Sequence, residues 1–167
     1  MSGSIGMRVG IGYDAHPLVR DRSLIVGGVE IPSDLGSDGH SDGDVLIHSI
    51  VDAIFGAVGL GDIGSYFPSD DNQWKNAESK LFLQHATIKI KKIGWEIENI
   101  DSVVLLQKPK ISNHIHNIKR GLSNIMNIKE SQISIKATTT DRLGYIGEQQ
   151  GWAAQTVVLV RKIKNRP

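Results

Sequence analysis

An α/β (α+β) sandwich, a mixed β-sheet with helices packed on one of its faces, is the fold class this sequence predicts. Three observations lead there. Three stretches carry apolar residues at a helical period. Several short β-branched runs are interspersed with them. Few β–α–β units of even length recur, which argues against a doubly wound parallel sheet. At 167 residues the chain has the length of one domain and can bury a core without staples.

The elements follow in order. Residues 7–13 read as a strand, and residues 24–26 and 29–31 form a strand pair around Gly27-Gly28. The Gly- and Asp-rich run 33–41 is a loop. Ser41 or Asp42 offers the N-cap of a helix to about Val58, with Leu46, Ile50, Val51, Ile54, Phe55 and Val58 as its stripe. A second helix fits 77–93, with Phe82, Leu83, Ala86, Ile90 and Ile93 facing the core and Gly94 just past its end. Residues 103–106 are a strongly apolar strand. Ile115, Ile118, Leu122, Ile125 and Met126 mark a third helix, and 133–138 and 156–161 close the order as strands. Residues 1–6 read as a flexible leader and 7–167 as a single domain, since no repeat or linker divides them.

The formal charge of +1 excludes a bulk nucleic-acid-binding character, but it conceals a split. Residues 14–71 hold 11 acidic side chains against Arg20 and Arg22, while residues 75–166 hold 16 basic against 7 acidic. Such asymmetry suits a metal or phosphate site, or merely two differently solvated faces. The absence of cysteine excludes disulfides, thiolate metal sites and cysteine nucleophiles. No apolar run approaches the ~18–20 residues of a membrane span, and no signal-peptide pattern opens the chain. Neither a membrane nor nucleic acid is therefore an expected partner, and the expected compartment is the cytoplasm.

Two glycine motifs mislead. Residues 10–15 match G-x-G-x-x-A and residues 59–64 match G-x-G-x-x-G. A dinucleotide fingerprint needs a strand before it and a helix opening from it. The first runs into His16-Pro17 and a charged loop, and the second follows a helix, so both are read as turn glycines.

Asp14 and His16 end the first strand, where residues two apart share a side and can share a cation. His48 lies on a helical line with Asp44 and Asp52, so a neighbouring carboxylate could fix its tautomer. Asp, His and His would leave a fourth tetrahedral position open, as in catalytic zinc sites. By spacing alone, three exposed polar residues fit equally. His114 and His116 point ~200° apart on a helix and cannot chelate together; they and His85 are read as surface histidines.

No P-loop is present. Thr138-Thr139-Thr140-Asp141 follows a strand beside the turn 144–147, offering hydroxyls for phosphate and a carboxylate for Mg2+. Threonines at strand ends and aspartates at caps are also ordinary. His40-Ser41, before the first helix, is the better-motivated anion site. Gln107-Lys108-Pro109-Lys110 is a turn suited to walling a small ligand, or an ordinary loop.

Together, Gly12-Tyr13-Asp14-Ala15-His16, Gly39-His40-Ser41-Asp42-Gly43-Asp44-Val45-Leu46-Ile47-His48, Leu60-Gly61-Asp62-Ile63-Gly64 and Ala137-Thr138-Thr139-Thr140 closely resemble one family. It is the 2-C-methyl-D-erythritol 2,4-cyclodiphosphate synthases of the non-mevalonate isoprenoid pathway, and the resemblance runs from Met7 to Ile163 in motif order. It implies a homotrimer with active sites between subunits. Asp14, His16 and His48 would bind one Zn2+ per subunit, and Asp141 would bind a second divalent cation, Mg2+ or Mn2+, with substrate. His40 and Thr139 would stabilise the transition state. Substrate would meet Asp14, His16, His40, Ser41, Asp62, Ile63, Gly64, Phe67, Ser69, Asp71, Thr138, Thr139, Thr140, Asp141 and Tyr145. A neighbour's Leu106, Lys108, Pro109, Lys110, Ile111 and Ser112 would pocket the cytosine. The implied reaction is intramolecular: the 2-phosphate of 4-diphosphocytidyl-2-C-methyl-D-erythritol 2-phosphate attacks the β-phosphorus and CMP leaves.

Two departures stand out. Asp141 replaces the family's usual glutamate, one methylene longer, and Glu148 stands where an arginine is common. Glu148 argues against an anionic isoprenoid phosphate in the trimer's central cavity. From residue chemistry alone, a zinc-dependent phosphoester hydrolase and a non-catalytic nucleotide- or metal-binding oligomer are the competing readings.

Overall fold

The computed structural model describes residues 6–163; the reading of 1–5 as a leader lies outside them. Seven strands and four α-helices follow one another as β1 (Met7–Val19), β2 (Leu24–Val26), β3 (Val29–Ile31), β4 (Gly36–Ser37), α1 (Val45–Val58), α2 (Lys80–Lys92), β5 (Trp95–Leu105), α3 (Ile115–Met126), β6 (Ile133–Thr138), α4 (Gly144–Gly147) and β7 (Gly151–Lys162). The main sheet has the order β4-β1-β7-β5-β6, with β2 and β3 as a separate hairpin. β5 and β6 are parallel, joined across α3, while β1, β7 and β5 are antiparallel neighbours. The sheet is therefore mixed, as the sequence predicts. The ladder also reaches back to Gly6, whose carbonyl accepts from the Lys162 N–H at 2.8 Å.

Alternation decides the two faces. Gly10 and Gly12 of β1, Thr156, Val158 and Val160 of β7, and Ile100, Ser102 and Val104 of β5 point inward and are buried. α1 crosses this face with eleven buried residues, and α2 and α3 pack beside it against β5 and β6. Val9, Ile11, Tyr13 and Val157 point the other way and are exposed. The helices thus cover one face only.

Several boundaries differ from the sequence reading, each for a visible reason. β1 continues to Val19 because Asp14, Ala15 and His16 pair with Ala154, Ala153 and Trp152. β7 starts at Gly151 for the same reason: the small residues Gly151, Ala153 and Ala154 carry no strand signal but hold the register. β5 begins at Trp95, its alternation hidden by a bulge between Ile97 and Asn99. α2 starts three residues late, since the Ala77 carbonyl is held by the Asp42 N–H at 3.0 Å in a turn. Ile93 is the cap of α2 and is 46 % exposed, so it does not face the core.

Gly10 and Gly12 are not turn glycines. A Cβ built on either would sit 1.9 Å from a backbone carbonyl of α1, Ala53 or Ser49 respectively. They let the helix lie directly against the strand. Gly59, by contrast, is the left-handed cap of α1 and Gly61 a left-handed turn residue, as read.

Candidate metal centre

β1 and α1 bring three predicted ligands together. Asp14 and His16 project from the same side of β1, and His48 projects from the second turn of α1 toward them. Asp14 Oδ2 stands 2.9 Å from His48 Nδ1 and 3.3 Å from His16 Nε2, and the two ring nitrogens are 3.4 Å apart. Among the described residues this is the one group whose ligand atoms all lie within 4.8 Å of one another. One carboxylate oxygen and two imidazole nitrogens suit a borderline divalent ion such as zinc.

The electrostatics agree. Burial alone would raise the Asp14 carboxyl, but hydrogen bonds and charges from His16 and His48 outweigh it and hold it down at about 2. His16 is shifted upward, chiefly by its hydrogen bond to Asp14, against the opposing effect of burial. A carboxylate that stays ionised between two imidazoles attracts a cation.

His48 is not held by the carboxylates that its helical line suggests. Asp44 is fully buried and faces away, accepting from the Gly27, Gly28 and Ile47 N–H groups at 3.0, 2.6 and 3.0 Å. It is the N-cap of α1 and ties the β2–β3 turn to the helix. Burial, reinforced by the Asp42 charge, raises its carboxyl to about 6 against these three bonds. Asp52 accepts from the Ile63 N–H at 2.7 Å. The ring of His48 instead presents Nε2 to the hydroxyls of Ser79 and Ser41, at 2.9 and 3.1 Å.

The start of the first helix, read from a cap at Ser41 or Asp42, is also corrected. The helix begins at Val45, not beside His40-Ser41, and the Asp44 carboxylate occupies its N-terminus. His40 donates from Nε2 to the Asp71 carbonyl at 3.0 Å, and Arg22 holds the loop through the Gly39 and Ser41 carbonyls at 3.0 and 3.1 Å.

A cavity of about 300 Å³ opens over the three ligands. Its walls include His40, Ser41, Ile63, Gly64, Phe67 and Ser69, all expected, and Trp74 and Phe82, which were not. Phe67 stacks on Phe82 at 4.3 Å and meets Trp74 edge-on at 5.0 Å. Phe82 reads in the sequence only as part of a core stripe, and Trp74 sits in a polar loop that gives no signal. Asp62 and Asp71 cap the short turns Ile63–Ser65 and Asn72–Trp74 at the rim.

The remaining predicted residues lie elsewhere. Leu106, Pro109, Lys110, Ile111, Ser112, Thr138 and Thr139 line a second cavity of about 210 Å³ at the ends of β5 and β6, which shares no wall with the first. Lys108 flanks a further groove with Pro109 and Lys110. Thr140 donates to the Leu143 carbonyl at 2.7 Å. Asp141 and Arg142 adopt left-handed backbone, and Asp141 Oδ1 accepts a long 3.5 Å bond from Thr139. Asp141 is outside the three-ligand group. Tyr145 pairs its hydroxyl with Tyr13 at 2.8 Å, which pushes its phenol up to about 12. His116 is exposed and His114 half-buried; His85 is exposed but edges onto Phe67 at 5.3 Å.

Comparison with known proteins places this architecture. Residues 7–161 match the YgbB family. The 2-C-methyl-D-erythritol 2,4-cyclodiphosphate synthase of Nostoc punctiforme is 49 % identical over 93 % of this chain and 98 % of its own length. That of Clostridium acetobutylicum is 51 % identical over 92 % and 99 %. Among solved structures, Plasmodium falciparum IspF in complex with CDP superposes with a TM-score of 0.84 at 40 % identity, covering 95 % of this chain and 98 % of that one. The bifunctional IspDF of Campylobacter jejuni gives a TM-score of 0.93 at 40 % identity, covering 96 % of this chain but 44 % of that longer one. The chain belongs to the YgbB family.

Proposed function

We propose, from that membership, that the chain converts 4-diphosphocytidyl-2-C-methyl-D-erythritol 2-phosphate to 2-C-methyl-D-erythritol 2,4-cyclodiphosphate, releasing CMP. This is a lyase-class step of isoprenoid biosynthesis by the non-mevalonate route. The observation that carries the reading is the convergence of Asp14, His16 and His48 in a chain about half identical to enzymes of that name.

In the reaction an oxygen of the 2-phosphate forms a bond to the β-phosphorus, and the bond from that phosphorus to the CMP oxygen breaks. The substrate supplies both nucleophile and leaving group, so the protein contributes positioning and charge neutralisation. Asp14, His16 and His48 would hold Zn2+, and Asp141 would contribute to a Mg2+ or Mn2+ site with substrate. A divalent cation there supplies compensation for the negative charge building on the diphosphate. His40 and Thr139 donate to the phosphate oxygens in the transition state, and Ser41, Thr138 and Thr140 add hydroxyl contacts. Asp62, Ile63 and Gly64 hold the ribose, while Phe67, Ser69 and Asp71 line the entrance.

The cytosine pocket formed by residues 106–112 belongs to a neighbouring copy, in a homotrimer. Two features support this. The two cavities lie apart within one chain. The uncovered sheet face also exposes Val9, Ile11 and Tyr13 at 66, 62 and 55 %, an apolar stripe that a second copy would bury. No helix among the described residues is long and apolar enough to cross a membrane, and a water-borne substrate with ionised diphosphate and phosphate groups suits the cytoplasm.

Incubation with the cytidylyl substrate tests the reading. CMP with a cyclic diphosphate is the expected outcome; inorganic phosphate would indicate a hydrolase, and binding without turnover a non-catalytic oligomer.

A further inference from the structure

Ser79, whose hydroxyl meets His48 Nε2, is itself held by Asp42. Ser79 is fully buried and stands at the N-cap of α2, where a serine hydroxyl ordinarily accepts from the helix. Here it makes no such bond. Its hydroxyl donates to Asp42 Oδ1, and its backbone N–H donates to Asp42 Oδ2 at 3.0 Å. The same hydroxyl oxygen lies 2.9 Å from His48 Nε2.

A hydroxyl has one proton. Committed to Asp42, it leaves only lone pairs toward His48, so Nε2 is the protonated ring nitrogen. Ser41 Oγ, 3.1 Å from Nε2, offers a second oxygen on the same side. A neutral ring then carries its free lone pair on Nδ1, the atom that faces Asp14 and His16. We infer that Asp42 and Ser79 are positioning residues: through the chain from carboxylate to hydroxyl to imidazole they fix the tautomer and orientation of His48 and so set the affinity of the centre for its cation. The diversion of an N-cap hydroxyl away from its own helix is the feature that favours this role over a purely architectural one. The inference rests on Asp14, His16 and His48 being the metal ligands.

The test is competitive titration of the metal-stripped protein with Zn2+ against a chelating dye. Losing a partner that orients a ligating histidine costs ~10–100-fold in metal affinity. Ser79→Ala is expected to lose that much, with its thermal melt still cooperative, and Ser79→Thr, which keeps the hydroxyl, to regain most of it. In the zinc-loaded protein, proton NMR should show a slowly exchanging, downfield His48 ring N–H that quickens its exchange in Ser79→Ala. Wild-type zinc affinity in Ser79→Ala, or an unmoved His48 resonance, overturns the inference. Should Ser79→Ala not fold, Asp42→Asn carries the same titration, and unchanged affinity there overturns it equally. If instead His48→Ala binds zinc as tightly as wild type, the three-ligand reading itself is what fails.

Discussion

The two cavities of this chain differ in how far one chain completes them. Around Asp14, His16 and His48 the donors are at least half-buried, their distances are set by β1 and α1, and every buried polar side chain has a partner. At the ends of β5 and β6, Leu106 and Ile111 are buried, but Thr138 and Thr139 stand exposed with little to hold them. The first region is organised in advance for a small, highly charged ligand. The second is open, with its threonine hydroxyls exposed, and under the proposed trimer a neighbouring copy would complete it.

Breaking the first region should have the largest effect. His48→Ala is expected to abolish both turnover and zinc content while leaving a cooperative fold; normal metal stoichiometry by elemental analysis would remove His48 from the ligand set. Ile11→Glu, on the uncovered sheet face, should separate the two regions. A charge buried unpaired between copies costs several kcal/mol. Light scattering should report a smaller species, with turnover almost lost but zinc retained. A variant of unchanged mass and activity would show that this face is not the one that joins copies. Asp141→Ala should lose activity that added Mn2+ only partly restores, and an unaltered divalent-ion dependence would detach Asp141 from the second cation.

Smaller effects sharpen the contrast. Lys110→Ala, in the second cavity, is expected to raise KM by about tenfold, the equivalent of one lost hydrogen bond. Zinc content should not change; a fall in it would contradict the independence of the two regions. The smallest concerns acid stability of the metal-stripped protein. The Asp14 carboxyl is held at about 2 in the fold, below its usual 3.8. Its contribution is present above pH 3.8 and is lost as pH falls through about 2, roughly 2 kcal/mol in all. Denaturation curves between pH 4 and 2 should show this loss, and Asp14→Asn should flatten it.

What the sequence made legible depends on distance along the chain. Asp14 and His16 are two residues apart, and strand alternation alone puts them on one side. The stripe of α1 was equally plain, so His48 was placed on a helix, but only the fold brings that helix to β1. The supports of His48 were misread. Asp44 and Asp52 share its helical line, yet their carboxylates are taken by backbone N–H groups. Ser79 lies 31 residues away, inside the stretch read as the helix 77–93, and nothing local ties its hydroxyl to a histidine on another helix. Trp74 gave no signal either, since an aromatic in a polar loop acquires its wall only through Phe67 and Phe82. Element ends failed where register, not composition, extends a strand, as in Gly151, Ala153 and Ala154.

Gly10 and Gly12 carry a further consequence. Because their missing side chains seat α1 directly on β1, the gap between the strand that bears Asp14 and His16 and the helix that bears His48 is fixed by main chain against main chain. Two residues with no side chain thus hold strand and helix together beneath the three ligands, and a single methyl group at either would meet the helix backbone and force the two elements apart.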